Sequence, residues 1–107
     1  GALPTWLMPT QVEIIPITER QHAYARQLHE KLEAAGIRVD TDYRSEKMGY
    51  KIREAQLKKI PYMLVVGDKE MEEGLVAVRA RKEEKGGVMT PDAFIGQILT
   101  EIATKER

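Results

Sequence analysis

Hydrophobic and polar positions along this chain switch between a period of two and a period of three to four, and the switches delimit the predicted elements. Val12, Ile14, Ile15 and Ile17 predict a buried first strand. Pro16 marks a strand end or an edge position, because its nitrogen cannot donate to a ladder. Thr18, with Gln21 three residues on, has the spacing of a capping box. Ala25, Leu28, Leu32 and Ala35 continue at helical spacing to Gly36, where a left-handed residue ends the helix. Ile37, Val39, Thr41 and Tyr43 alternate with Arg38, Asp40 and Asp42, the pattern of a half-buried strand. A second helix is predicted from about Met48 to Lys59, with Met48, Ile52 and Ala55 on one face and Lys47, Lys51 and Lys58 on the opposite side; Pro61 stops it. Tyr62 to Val66 is the unbroken apolar run of a central strand covered on both faces.

Gly67 to Gly74 predicts a polar turn with room for one helical turn, after which Val76, Val78 and Ala80 alternate with Ala77, Arg79 and Arg81. Lys82 to Gly87 predicts a solvated loop. Thr90-Pro91 is an N-cap with proline at the first helical position, and Phe94, Ile95, Ile98, Leu99 and Ile102 form the apolar stripe of the last helix. Strands alternating with helices predict a three-layer α/β/α fold, with a mixed, mostly parallel sheet of about five strands and three helices.

The chain length of 107 residues suits one domain with a modest core, and no apolar run is long enough to span a bilayer as a helix. The absence of cysteine excludes disulfides and thiolate metal sites, and fits a cytoplasmic protein. His22 and His29, seven apart on one predicted helix, lack the spacing of a zinc signature and read as solvated helix residues. Gly1, standing where an initiator Met is expected, reads as a cleavage or vector residue. Residues 2–10 hold two prolines, one tryptophan and no charge, and read as a linker from an upstream domain, with Trp6 packed on this domain or on that neighbour.

Charge changes the picture. The chain is neutral overall, but between Arg44 and Lys59 six Lys/Arg face two Glu, a local balance of +4. Such concentration suits an anionic partner docked on the second helix and its preceding loop; a solvated helix face is the bland alternative. Lys and Arg attract phosphates by charge pairing and counterion release without reading sequence. No nucleophile–base arrangement and no Gly-rich phosphate loop stand out, so catalysis by this chain alone is not expected.

The run Gly49-Tyr50-Lys51-Ile52-Arg53-Glu54, after a basic loop and followed by Ile60 to Glu70 (IPYMLVVGDKE), resembles the C-terminal anticodon-binding domain of threonyl-tRNA synthetase. The resemblance covers Pro4 to about Ile102 and is specific, because sister synthetases spell this run differently. It implies a linker over residues 1–10 and an anticodon-binding domain over 11–107. It also implies binding of the anticodon loop of threonine tRNA, so that the parent enzyme can ligate threonine with ATP. No cofactor is implied in this chain; ATP and zinc are expected in the parent's catalytic domain. The parent is expected to be a homodimer through that domain and this piece a monomer, with no membrane partner. The rival readings are a free-standing RNA-binding or adaptor protein of the same fold, and a small nucleotide-binding α/β domain.

The resemblance also implies base-reading roles. All threonine anticodons share a central guanine followed by uracil. Glu70 matches the family position whose carboxylate accepts both donors of the guanine edge. Arg79 matches the strand arginine that approaches the same guanine. Ser45 stands where the family usually has Asn against the third base; its hydroxyl is shorter and offers one polar atom, so a water or a neighbouring backbone group carries part of that contact. Arg44, Lys47, Lys51, Arg53 and Lys58 are the implied backbone or loop contacts, with a salt bridge as the alternative role for Arg53. Tyr50 is the best-placed stacking aromatic, whereas Tyr62 opens a buried strand and reads as core.

Overall fold

The computed structural model describes residues 3–81 and 86–105. Five strands and four helices follow in chain order: β1 (Val12–Pro16), α1 (His22–Ala34), β2 (Val39–Thr41), α2 (Met48–Leu57), β3 (Tyr62–Val66), α3 (Asp68–Glu73), β4 (Val76–Ala80), β5 (Gly87–Met89) and α4 (Pro91–Thr104). The sheet order is β2-β1-β3-β4-β5. β2 and β3 run parallel to β1, β4 is antiparallel to β3, and β5 is antiparallel to β4, so four of the five strands point the same way. The fold is the expected three-layer one, with one helix more: the polar stretch after β3 closes into α3 between Gly67 and a left-handed Gly74 (φ +69°). Of the loop expected over Lys82 to Gly87, residues 82–85 lie outside the described residues.

Side-chain alternation divides the core unequally. Val12, Ile14, Leu64, Val66, Val76 and Val78 face α1 (Ala25, Leu28, Leu32) and α4 (Phe94, Ile98). The opposite sheet face holds a smaller cluster, in which Ile15, Met63 and Val65 pack on Ile52 and Ala55 of α2, with Ile60 closing the end. Pro16 falls at the end of β1, a central strand, where its missing N–H breaks no further ladder. β2 is shorter than the seven-residue alternation suggested, since only Val39–Thr41 pair with β1. Tyr62, as expected, is core, and its hydroxyl bonds the buried Glu101 of α4.

The caps read in sequence are made. The Thr18 N–H donates to Gln21 Oε1 (2.7 Å), opening a 3-10 turn that leads into α1, and Thr90 Oγ1 accepts from the Ala93 N–H (3.2 Å) at the start of α4. α2 ends differently. Lys59 adopts φ +60°, the Lys59 N–H donates to Gln56 C=O (2.9 Å), and the Ile60 N–H donates to Ala55 C=O (3.1 Å). That is a Schellman end with lysine where glycine is usual.

The segment before β1 is docked on the domain. Arg38 donates to the carbonyls of Met8 (2.8 Å) and Trp6 (3.0 Å), Gln11 donates to Thr5 C=O (3.1 Å), and Lys105 lies 5.2 Å from the Trp6 ring centroid.

Two links at the carboxyl ends of the parallel strands position the site. The Ile17 N–H donates to Val66 C=O, and the Asp42 N–H to Ile14 C=O, each at 3.0 Å. The chain leaving β1 turns to the α1 face and the chain leaving β2 to the α2 face. A crevice therefore opens between them, the place where open α/β sheets bind ligands.

Candidate nucleic-acid interface

That crevice is a groove of about 310 Å³, walled on the β1 side by Ile17, Thr18, Glu19 and His22, and on the β2 side by Tyr43, Arg44, Ser45, Glu46 and Lys51. Ser45 is exposed on its rim. His22 and Tyr43 meet edge to face at 5.2 Å across it, and His29 bonds Thr41 Oγ1 (2.8 Å) on the β2 side.

Glu70 lies beyond Ile17, in the first turn of α3. Its Oε1 accepts the Gly67 N–H at 2.7 Å, so it is a half-buried capping side chain rather than an exposed turn residue. Gly67 leaves the room for this: a Cβ there would stand 2.8 Å from Ile17 Cδ1 and 3.2 Å from Glu70 Oε1. α3 is fixed to the start of α1 by Asp68, which pairs with Arg20 (2.8 Å) and accepts from Gln21. The phenol of Tyr24 has its pKa raised, first by burial and then by the nearby Glu70 charge. Arg79 is exposed on β4, opposite Met63 and hence on the α2 face; it forms no ion pair with Glu70.

The expected basic surface of α2 and its preceding loop is corrected at Lys51 and Arg44. Lys51 is only 2% exposed, and its Nζ donates to Asp42 C=O (3.0 Å) and Pro16 C=O (3.3 Å). It falls three residues after Met48 and four before Ala55, on the buried stripe and not opposite it, while Met48 is 38% exposed at the helix start. Burial lowers the Lys51 pKa, and the Asp42 charge opposes the shift. Arg44 is no free cation: its guanidinium bonds both Asp42 oxygens (2.9 and 2.8 Å) and reaches Glu54 on α2. These bonds raise the Arg44 pKa and hold the Asp42 and Glu54 carboxyls below their usual range. Tyr50 is 46% exposed, but the Arg44 guanidinium lies 5.7 Å from its ring centroid, so one ring face is occupied.

The two flanks of α2 carry opposite charge. On the β2 side an open groove of about 540 Å³ is lined by Glu13, Asp40, Asp42, Thr41, Tyr43, Arg44 and Lys58. Lys58 therefore stands over carboxylates. At 100° per residue, Gly49, Arg53 and Gln56 lie on the other flank, toward β4, with Arg79 and Arg81 on the sheet beyond. Arg53 and Arg79 are exposed and form no ion pair among the described residues. The salt bridge allowed for Arg53 is absent there. Lys47, exposed at the N-cap, precedes a first turn with no side-chain cap and no acid. Its helix amides and the Lys47 ammonium together favour an anion.

Glu13 is 5% exposed without a hydrogen-bond partner among the described residues, and burial raises its pKa, with Lys58 opposing. A group whose folded pKa is raised binds its proton more tightly in the folded state. Its burden on stability is thus present above the folded pKa and disappears below the unfolded one. Glu13→Gln should raise Tm at about pH 7, and the gain should shrink as the pH is lowered toward about 3, below the unfolded carboxyl's range. Thermal melts at the two pH values check this.

Residues 11–101 match the family model described as the anticodon binding domain. The chain belongs to that family. Among solved structures, this anticodon-binding domain superposes on the RNA binding domain of threonyl-tRNA synthetase from Cryptosporidium parvum with a TM-score of 0.88 at 34% identity, covering 94% of this chain and 25% of that one. Prolyl-tRNA synthetase from the same organism gives 0.85 at 27% identity over 96% of this chain and 22% of its own. In sequence, the domain is 59% identical to the threonine–tRNA ligase of Caldanaerobacter subterraneus over 98% of the chain, and 55% identical to that of Acetivibrio thermocellus over 99%. The chain spans 16% and 17% of the length of these two relatives.

The Lys51 and Glu70 geometries both have a signal in the sequence. Lys51 sits at i−4 from Ala55 on an apolar stripe, and Gly67 with Glu70 has capping-box spacing. The Arg44–Glu54 pair joins residues ten apart through the fold, and no local pattern announces it.

Proposed function

We propose that this domain binds the anticodon loop of threonine tRNA on behalf of a threonine–tRNA ligase whose catalytic domain precedes residue 11. Such a parent would carry the ATP and zinc sites. The observation that carries the reading is the placement of Glu70 next to Ile17, and of Ser45 on the rim of the groove that Ile17 lines, at the carboxyl ends of the parallel strands; Arg53 and Arg79, which form no ion pair among the described residues, lie on the α2 face of the sheet. The Glu70 carboxylate retains acceptor capacity beyond its bond to Gly67, because each oxygen carries two lone pairs. It reads the two donors of the central guanine. Ser45 faces the third base. Lys47, at the N-cap of α2, and Arg53, on its β4 flank, neutralise backbone phosphates; Arg79, on β4 opposite Met63 and apart from Glu70, joins them instead of reading the guanine. Lys58, over the acidic groove, and Arg44, held by Asp42 and Glu54, contribute little to that term. Tyr50 offers one ring face for stacking.

Titration of anticodon stem-loops at two salt concentrations tests this. Affinity should fall steeply with salt, since a few phosphate contacts dominate it. Lys47→Ala and Arg53→Ala should each weaken matched and mismatched loops alike and reduce the salt slope by about one, while Lys58→Ala changes little. Salt-independent affinity, or an Arg53→Ala loss confined to one anticodon, would contradict the assignment.

A further inference from the structure

Among the described residues, Lys51 is the only buried Lys or Arg. Burying an ammonium is unfavourable unless its donors are satisfied, and an apolar side chain beside Ile52 would fill the space without that cost. The place where its donors go is informative. β1 and β2 are joined as far as the Asp42 N–H to Ile14 C=O bond, and then part toward opposite faces of the sheet. Beyond the split, Lys51 reaches up from the first turns of α2 and bonds one carbonyl from each side, Pro16 and Asp42. It thereby closes the crevice from below.

The loop above inherits this fixation. Asp42, held through its backbone by Lys51, uses its side chain to take the Arg44 N–H (3.1 Å) and the Arg44 guanidinium, which in turn reaches Glu54, one turn after Lys51 on the same helix. Ser45 follows directly and makes no side-chain hydrogen bond of its own among the described residues. Its hydroxyl has a single rotor and short reach, so its position over the groove is set by the backbone alone. We propose that Lys51 is a positioning residue for reading the third anticodon base: it clasps the ends of β1 and β2, and so fixes the 42–47 loop and Ser45 at the crevice. This rests on the reading of the site given above. Two of the three ammonium donors go to these carbonyls, so the clasp is made by Lys51 Nζ itself.

The test uses this domain with Lys51→Met, and with Lys51→Cys aminoethylated before refolding, which restores an ammonium at the same length. The chain has no other cysteine to react. Stem-loops varied at the third base (uracil or cytosine) and at the central base (guanine or adenine) are titrated, and amide exchange is followed at residues 44–47. In Lys51→Met the third-base ratio should fall by about fivefold or more, the scale of one lost hydrogen bond. The central-base ratio and the salt slope should hold, exchange at 44–47 should quicken, and aminoethylation should restore all of these. A Lys51→Met domain that keeps its third-base ratio overturns the proposal, as does loss of both ratios together. If Lys51→Met does not fold, Lys51→Arg, whose larger head displaces the clasp, is judged by the same two ratios. A parent domain that discriminates at neither base refutes the reading of the site instead. The exchange rates then decide the clasp, which fails if they are unchanged.

Discussion

Glu70→Gln should weaken binding to an anticodon loop with central guanine by about 1–3 kcal/mol, the cost of leaving a polar partner unmatched. The structure sharpens the reason. Oε1 of Glu70 holds the Gly67 N–H at 2.7 Å, so in the amide the remaining oxygen must keep that bond. The NH₂ group is then turned to where the second carboxylate oxygen stood, donor against the guanine donors. Against central adenine, whose edge carries one donor and one acceptor, the loss should shrink. The α3 cap survives, so stability should change by less than about 0.5 kcal/mol, whereas Glu70→Ala removes the cap as well and should cost about 0.5–2 kcal/mol of stability. Paired titrations of guanine and adenine loops, with melts alongside, check both. An unchanged guanine-to-adenine ratio would show that Glu70 is not the reader.

Ile52→Ala should destabilise the domain by about 2–5 kcal/mol, a large part of the total stability of a domain this size. α2 rests on the smaller of the two cores, and Ile52 and Ala55 are its contribution to that cluster. The same helix provides its own control. Leu57 is 76% exposed, and Leu57→Ala should stay within about 0.5 kcal/mol. Urea unfolding of the two variants measures the contrast; equal losses would mean that α2 is not anchored through Ile52.

Much of this was legible in sequence because period and caps report local physics. The runs at Val12–Ile15 and Tyr62–Val66, the Thr18 and Thr90 caps and the Phe94–Ile98 stripe became the elements they predicted. The failures have a common origin. The charge of Lys51 points it to solvent while its spacing points it inward, and the carbonyls that satisfy it belong to the distant residues 16 and 42. Arg44 adds to the local positive balance in sequence, but its partner Glu54 is close only in the fold. Charge counted along a sequence cannot show which charges are already paired, and here pairing moves the open basic surface from the whole helix to one flank of it.

That one-sided surface has a consequence for encounter. With zero net charge, the domain exerts almost no central pull on a distant polyanion. What acts within a Debye length is local: among the described residues, Arg53 and Arg79 stand without an ion pair on one flank of α2, while Glu13, Asp40 and Asp42 outnumber Arg44 and Lys58 in the groove on the other. For the docking proposed above, such an arrangement would turn an approaching RNA before attracting it, with the carboxylates beside Lys58 disfavouring an approach over that flank and leaving the opposite flank of α2 as the favoured one.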